Sequence, residues 1–412
     1  APLILYFAAS GFLNRPAVFD ASVLMTRIMF PYIGFMSMVA FAGGILNTWR
    51  EFKIPAFTPV IYNLTSIAGS LWLSRFLAQP IYALAIAVFV GGVLQMAIQV
   101  PALMKIGMLP RIGWRPGTAW ADPGVRRIVR NMVPAILAVS ASQISILINT
   151  SLATRMAPGS ISWLASADRL MEFPTALLGV ALGTILLPGL SKANADGDTE
   201  EYSALLDWGL RLTFLLAMPA AVALATIPEA LTSTLFHHGK FDAHAVHMTS
   251  NALIAYGLGL IGLIVVKILA PGFYARQDIR TPVKIAVTVM IATQGLNLIF
   301  VPLFAHAGLA LSVGLGACVN ALLLYTGLRR RGIFQPQKGW PMFLLKLLAA
   351  LLLMAGVALW VSDQFNWLGM RHTPVLRAAA LGVLIAASAA AYFLALGIMG
   401  FRPRDFRKLA KV

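Results

Sequence analysis

Eleven apolar stretches, each long enough to cross a lipid bilayer, constrain this chain more than any other feature. A spanning helix needs about 20 predominantly apolar residues. Residues 22–46, 56–77, 80–104, 131–154, 160–188, 208–232, 247–273, 283–304, 307–328, 341–362 and 374–400 meet that length, and residues 1–10 form a twelfth, partial stretch. Backbone in lipid must satisfy its own hydrogen bonds, which leaves helices or a closed barrel. Runs of this length select helices. The short connection Ala305-His306 marks a tight helical hairpin. Composition agrees: the chain is 59% hydrophobic and 11% charged, against about 25% charged in an ordinary globular domain. Too few charges remain to cover a soluble surface of this size. The expected fold class is all-α and polytopic, and the same arithmetic excludes a soluble enzyme, a disordered chain and a coiled coil.

The formal net charge of +17 could suggest nucleic acid, but its distribution points to the bilayer. Loops 47–55, 105–130, 189–211, 274–284, 329–346 and the tail 401–412 carry 23 Lys and Arg; the alternate side carries seven, including Lys240, Arg371 and Arg377. Cytoplasmic loops hold the excess of basic residues, so the C-terminus is expected in the cytoplasm. Cys318 is the single cysteine and sits in an apolar run, so no disulfide framework exists.

An internal repeat organises the spans. Trp49-Arg50-Glu51-Phe52-Lys53-Ile54-Pro55 leaves one apolar stretch and opens the next, and Arg276-Gln277-Asp278-Ile279-Arg280-Thr281-Pro282 does the same 227 residues later. Both place proline at a helix start, where its missing N–H costs least. Six spans separate the copies. Six is even, so the repeats run parallel about an axis along the membrane normal, as in two-lobed transporters. The expected organisation is 1–104 as the remainder of an N-terminal lobe and 105–130 as an inter-lobe linker. Residues 131–330 follow as a C-terminal lobe, 341–400 as two additional helices, and 401–412 as a basic tail.

Asp168, Arg169 and Glu172 lie far from both ends of their span. Intramembrane ionisable groups cost at least about 2.5–3.5 kcal/mol on insertion scales and face protein or water. The i,i+3 and i,i+4 spacings allow the trio to balance its own charge. One reading is an ion-pair clamp to a neighbouring helix. The other is a guanidinium at Arg169 presented to an anionic substrate. Lys267 is a candidate for a cavity or gate, with snorkelling as its alternative. Asn149 and Asn297 are intramembrane amides suited to interhelical hydrogen bonds or cavity lining. The loop His237-His238-Gly239-Lys240-Phe241-Asp242-Ala243-His244 with His247 has poor metal-ligand spacing, and no metal site is expected.

The stretches Ile45-Leu46-Asn47-Thr48-Trp49, Gly91-Gly92-Val93-Leu94-Gln95 and Ala167-Asp168-Arg169-Leu170-Met171-Glu172-Phe173-Pro174 resemble the MurJ (MviN) family of lipid II flippases. That family belongs to the multidrug/oligosaccharidyl-lipid/polysaccharide exporter superfamily. Gly179–Pro188 and Leu269–Asp278 extend the likeness. The resemblance implies fourteen helices, as two six-helix lobes plus two C-terminal helices, with the first two helices and most of the third preceding Ala1. It implies a bacterial inner-membrane protein that moves undecaprenyl-diphosphate-linked peptidoglycan precursor, lipid II, to the outer leaflet. Arg169, Asp168 and Glu172 would then face a central cavity, and cell-wall synthesis proteins would be potential partners. Some members bind sodium through acidic residues of the seventh and eleventh helices. Spans 131–154 and 283–304 hold no Asp or Glu, which leaves coupling between sodium and membrane potential open. No cofactor is expected. The alternatives are a flippase for another polyprenyl-linked glycan or a drug/cation antiporter of the same superfamily. A membrane-embedded glycan polymerase would need a larger outer loop, and a non-transporting scaffold would need no charged cavity.

Overall fold

The computed structural model describes residues 2–109 and 122–401. Among these, every regular element is helical: α1 (Pro2–Ala8), α2 (Pro16–Met29), α3 (Tyr32–Thr48), α4 (Lys53–Leu71), α5 (Tyr82–Lys105), α6 (Pro123–Thr154) and α7 (Ser160–Pro174). After a π-helical turn, Thr175–Val180, come α8 (Ala181–Ala195), α9 (Thr199–Thr226), α10 (Pro228–Phe236), α11 (Ala243–Leu269), α12 (Pro271–Tyr274), α13 (Arg280–Arg330), α14 (Trp340–Asp363) and α15 (Pro374–Ile398). Among the described residues, eight apolar helices are long enough to cross a membrane. The all-α polytopic fold is therefore what the chain adopts. Residues 110–121 of the stretch read as an inter-lobe linker, and residues 402–412 of the basic tail, lie outside the described residues.

Several boundaries differ from the hydropathy reading for local reasons. The span expected at 208–232 is instead α9, ending at Thr226. Pro228 disfavours helical geometry at the residue before it, and Ile227 leaves the helix at φ −124°, ψ 40°. At the other end Asp198 caps α9, accepting from Glu201 N at 2.8 Å, so the helix starts earlier than its apolar run. The stretches 283–304 and 307–328 are two arms of α13, reversing at Ala305 (φ 49°, ψ −126°). Gly308 makes that reversal feasible: a Cβ there would collide with the Phe300 carbonyl.

The chain divides into two units, Ala1–Pro134 and Ala135–Val412. In the first, α4 and α5 meet where Gly69 admits Ala87; a Cβ on Gly69 would lie only 2.6 Å from the Ala87 methyl. Gln95 and Gln99 of α5 are buried and donate to Thr58 O (3.2 Å) and Thr58 Oγ1 (3.3 Å) of α4. Such hydrogen bonds and small-residue contacts hold helices together where lipid removes the hydrophobic drive.

The second unit is built around α11, which packs on α9 and on α13. Gly259 and Gly262 face Gly314 and Cys318, so the backbones approach directly; a Cβ on Gly262 would lie 2.6 Å from Cys318 N. The α14–α15 hairpin docks on α9 through Tyr392 Oη donating to Leu215 O at 2.6 Å. Asp207, almost fully buried, ties α9 to the start of α14. It accepts from Arg211 Nε (2.7 Å), Gln337 N (3.0 Å) and Trp340 Nε1 (2.7 Å). A buried carboxylate is tolerated only when paired and hydrogen-bonded in this way.

Candidate functional site

The intramembrane charges are displayed by α7, whose packing decides which way they face. Ser160, Trp163, Ala167 and Met171 are its buried residues. Their spacing of three or four puts them on one stripe of a 3.6-residue helix. Trp163 anchors the stripe, lying against the His306 ring (centroids 5.1 Å) and the His244 ring (5.5 Å). Gly159 enters the helix at φ 103° directly against the Trp163 indole, where a Cβ would stand 2.6 Å from Cζ2. With this stripe buried, Asp168, Arg169 and Glu172 are left on the exposed faces.

The self-balancing trio expected from the spacing does not form. The ion pairs found among the described residues are Arg211–Asp207 and Arg331–Asp278. Asp168 instead lines a cavity of about 330 Å³ inside the second unit, together with Asn149 and Thr150 of α6 and Tyr256 of α11. Arg169 and Glu172 are not among that cavity's lining residues. Both remain exposed, with no hydrogen bond to another described residue.

Asn149 joins this cavity to an amide network. Asn297, buried on α13, donates from Nδ2 to Asn149 Oδ1 (2.9 Å) and to Gln294 Oε1 (3.0 Å), and Gln294 Nε2 reaches Ser145 Oγ at 3.4 Å. Lys267 stands apart from both groups. Its stem crosses the π-helical turn at Gly179, where a Cβ would be 2.6 Å from Lys267 Cδ. Among the described residues no three His, Cys, Asp or Glu side chains gather as metal ligands. His244 is occupied by Trp163. His237 is buried at the loop, and that burial, followed by Arg371 and Arg377, lowers its pKa and favours the neutral ring.

A family model described as lipid II flippase MurJ matches residues 1–377. The chain belongs to the MurJ family. A lipid II flippase MurJ of Burkholderia cenocepacia is 54% identical over 411 residues, spanning 100% of this chain and 80% of that protein. A solved structure of lipid II flippase MurJ in an inward closed conformation superposes with a TM-score of 0.75 at 21% identity. It covers 99% of this chain and 82% of the solved one. That likeness establishes the fold.

Seen as a MurJ-family transporter, the chain has features that sequence reasoning missed. Tyr256 faces the Asp168 cavity from the middle of an apolar helix, and Gln294 extends the amide pair into a network. A polar residue inside each span was the available signal in both cases. The π-helical turn had only Pro174 to announce it, and proline alone does not distinguish a kink from a π-turn.

Proposed function

We propose that this chain carries lipid II, the undecaprenyl-diphosphate-linked disaccharide-pentapeptide, from the inner to the outer leaflet of the bacterial inner membrane by alternating access. The observation that carries this reading is Arg169, intramembrane, exposed on α7 and without an ion-pair partner among the described residues. A guanidinium held in that way is suited to a diphosphate, which it can grip through two parallel charge-assisted hydrogen bonds. The work is transport and not bond chemistry, because a lipid-linked anion must pass a barrier that penalises its charge.

Membrane potential is the proposed driver, worth about 2.3 kcal/mol per charge per 100 mV. The amide pair Asn149–Asn297, at the helices where sodium-binding members carry acids, supports that choice. The distribution of 23 basic residues against seven supports a cytoplasmic C-terminus.

The test is complementation of cells depleted of their own lipid II flippase, scored by lipid II accessible on the outer face. Arg169→Ala should abolish transport at normal expression, and Arg169→Lys should restore little, because a point charge lacks the planar fork. Full transport by Arg169→Ala would remove the arginine from the substrate path.

A further inference from the structure

Seven side-chain polar atoms among the described residues are buried without a hydrogen-bond partner, and three of them belong to one pair, Arg377 and His237. Arg377 stands in the first turn of α15, on the same face as Ala380 and Leu381 three and four residues on. Those two join Ala230, Ala358 and Trp367 in an apolar cluster. The guanidinium turned into that wall is 2% exposed. Its Nη2 donates to His237 O at 3.4 Å, while Nε and Nη1 have no partner among the described residues. The His237 ring is 3% exposed, and its Nδ1 is the third orphaned atom.

The charged neighbours do not cancel this charge. The ion pairs found among the described residues, Arg211–Asp207 and Arg331–Asp278, involve neither residue. Asp242 acts on the His237 ring, but its carboxylate is exposed at the start of α11, where it accepts from Ala245 N at 2.8 Å. Arg371 is itself a cation and donates to Gly239 O at 2.7 Å. His238 is exposed. An arginine cannot discharge at any working pH, and an unpaired charge in an apolar wall is among the costliest arrangements a fold can hold. Water would complete the hydrogen bonds and leave the charge whole. A bound anion answers both. With the ring neutral, as its burial and the two arginines favour, the Nδ1–H tautomer adds a third donor to the two guanidinium N–H groups.

We propose that Arg377 and His237 enclose a site for one small monovalent anion of the chloride class, which clips the α14–α15 hairpin to the turn after α10. Charge and size set that class. One guanidinium needs one negative charge, and a dianion such as sulfate would leave the site uncompensated in the opposite sense. The cavities of about 330 to 740 Å³ found among the described residues of the second unit are lined by neither Arg377 nor His237. The occupant is therefore close to water-sized, about 30 Å³, and not a lipid headgroup. The turn is then held three times over: Arg371 grips Gly239 O, Arg377 grips His237 O, and the anion joins the guanidinium to the imidazole. Arg169 and the lipid-linked substrate play no part, so this inference stands apart from the lipid II reading.

Thermal unfolding of the purified protein in detergent tests this, in chloride and gluconate buffers of equal ionic strength. Chloride should raise the melting temperature of the parent by roughly 2–4 °C and saturate. Bromide should replace it, and sulfate should not. Arg377→Met removes the charge and fills its volume, so it should melt alike in both anions and, in gluconate, no lower than the parent. His237→Phe should keep the response but move its midpoint to roughly tenfold higher chloride, the scale of one hydrogen bond to a charged group. Arg169→Ala leaves the pair intact and should respond to chloride as the parent does. A parent that melts alike in chloride and gluconate would overturn the inference, as would a chloride response that survives in folded Arg377→Met. A response lost in Arg169→Ala would place the anion on α7 and equally overturn it. Should Arg377→Met not fold, His237→Phe carries the test, and an unchanged chloride midpoint there would sink the site.

Discussion

The two copies of the repeated turn, Trp49–Pro55 and Arg276–Pro282, share a backbone and differ in how side chains secure it. In the first, Arg50 adopts φ 61°, Glu51 N donates to Leu46 O (2.9 Å) and Arg50 N to Asn47 O (3.1 Å). In the second, Gln277 adopts φ 59°, Asp278 N donates to Phe273 O (3.0 Å) and Gln277 N to Tyr274 O (2.9 Å). Every position is offset by the same 227 residues that separate the sequence motifs. Both are Schellman-type helix ends with a left-handed residue at the position usually given to glycine.

The side chains then diverge. Asp278 accepts from Thr281 N (3.1 Å), Thr281 Oγ1 (2.7 Å) and Arg331 Nη1 (2.5 Å), while Arg331 also lies 5.6 Å from the Phe273 ring centroid. In the first copy the residue corresponding to Thr281 is Ile54, which has no hydroxyl, and Glu51 has no side-chain hydrogen bond among the described residues. A backbone motif can thus persist through a duplication while its lock is specific to one copy.

The largest separation between the copies should come from their apolar plugs. Leu46 and Phe273 occupy corresponding places and are 0% and 1% exposed. Phe273→Ala should cost about 3–5 kcal/mol and Leu46→Ala about 2–5 kcal/mol, with Phe273→Ala the larger because Arg331 loses its ring as well. Thermal unfolding in detergent measures both. Equal losses would show that the Arg331 contact adds nothing.

A smaller difference should follow from the acids. Asp278→Ala removes a helix-start hydrogen bond, worth about 1 kcal/mol, and a partly exposed ion pair worth about 0–1 kcal/mol. Glu51→Ala should stay within about 0.5 kcal/mol of the parent. Acidity sharpens the contrast. Hydrogen bonds from Thr281, then Arg331, hold the Asp278 carboxyl at about 2, below the usual value of about 3.9. The folded state therefore binds its proton less readily, and the stabilisation is complete above pH about 4 and lost as pH falls through about 2. The melting difference between parent and Asp278→Asn should shrink over that window, whereas Glu51→Gln should track the parent. A constant difference would mean that Asp278 acts by shape and not by charge.

These turns also mark what the sequence makes legible. The repeated turn, most of the apolar spans and the reversal at Ala305 are local properties of length, hydropathy and turn residues, and these are found in the structure. Charge depth is local too, so Arg169, Asp168 and Glu172 could be named in advance. Their directions could not. Asp168 shares a cavity with Asn149 and Tyr256 because Trp163, Ala167 and Met171 claim the buried stripe of α7, and what claims a stripe depends on distant helices. The same holds for Asp207, whose burial is set by Gln337 and Trp340 more than a hundred residues away. Lys267 could be read as a snorkelling residue because the glycine it crosses belongs to another element.

The smallest effect should be the one in which the copies behave alike. Arg50 and Gln277 each hold a left-handed conformation that costs an L-residue roughly 1–2 kcal/mol. Replacing either with glycine removes that cost but enlarges the unfolded ensemble, offsetting about 0.4–1 kcal/mol. Arg50→Gly and Gln277→Gly should therefore each stabilise by about 0.5–1 kcal/mol, read as a small rise in melting temperature. Because Arg50 and Gln277 contribute no hydrogen bond from their own side chains among the described residues, the gain should be the same in both copies, and the presence of Asp278 should not alter it. A gain confined to Gln277→Gly would show that the lock at Asp278 presses strain into its own turn, and the two backbones would then be alike in shape but not in energy.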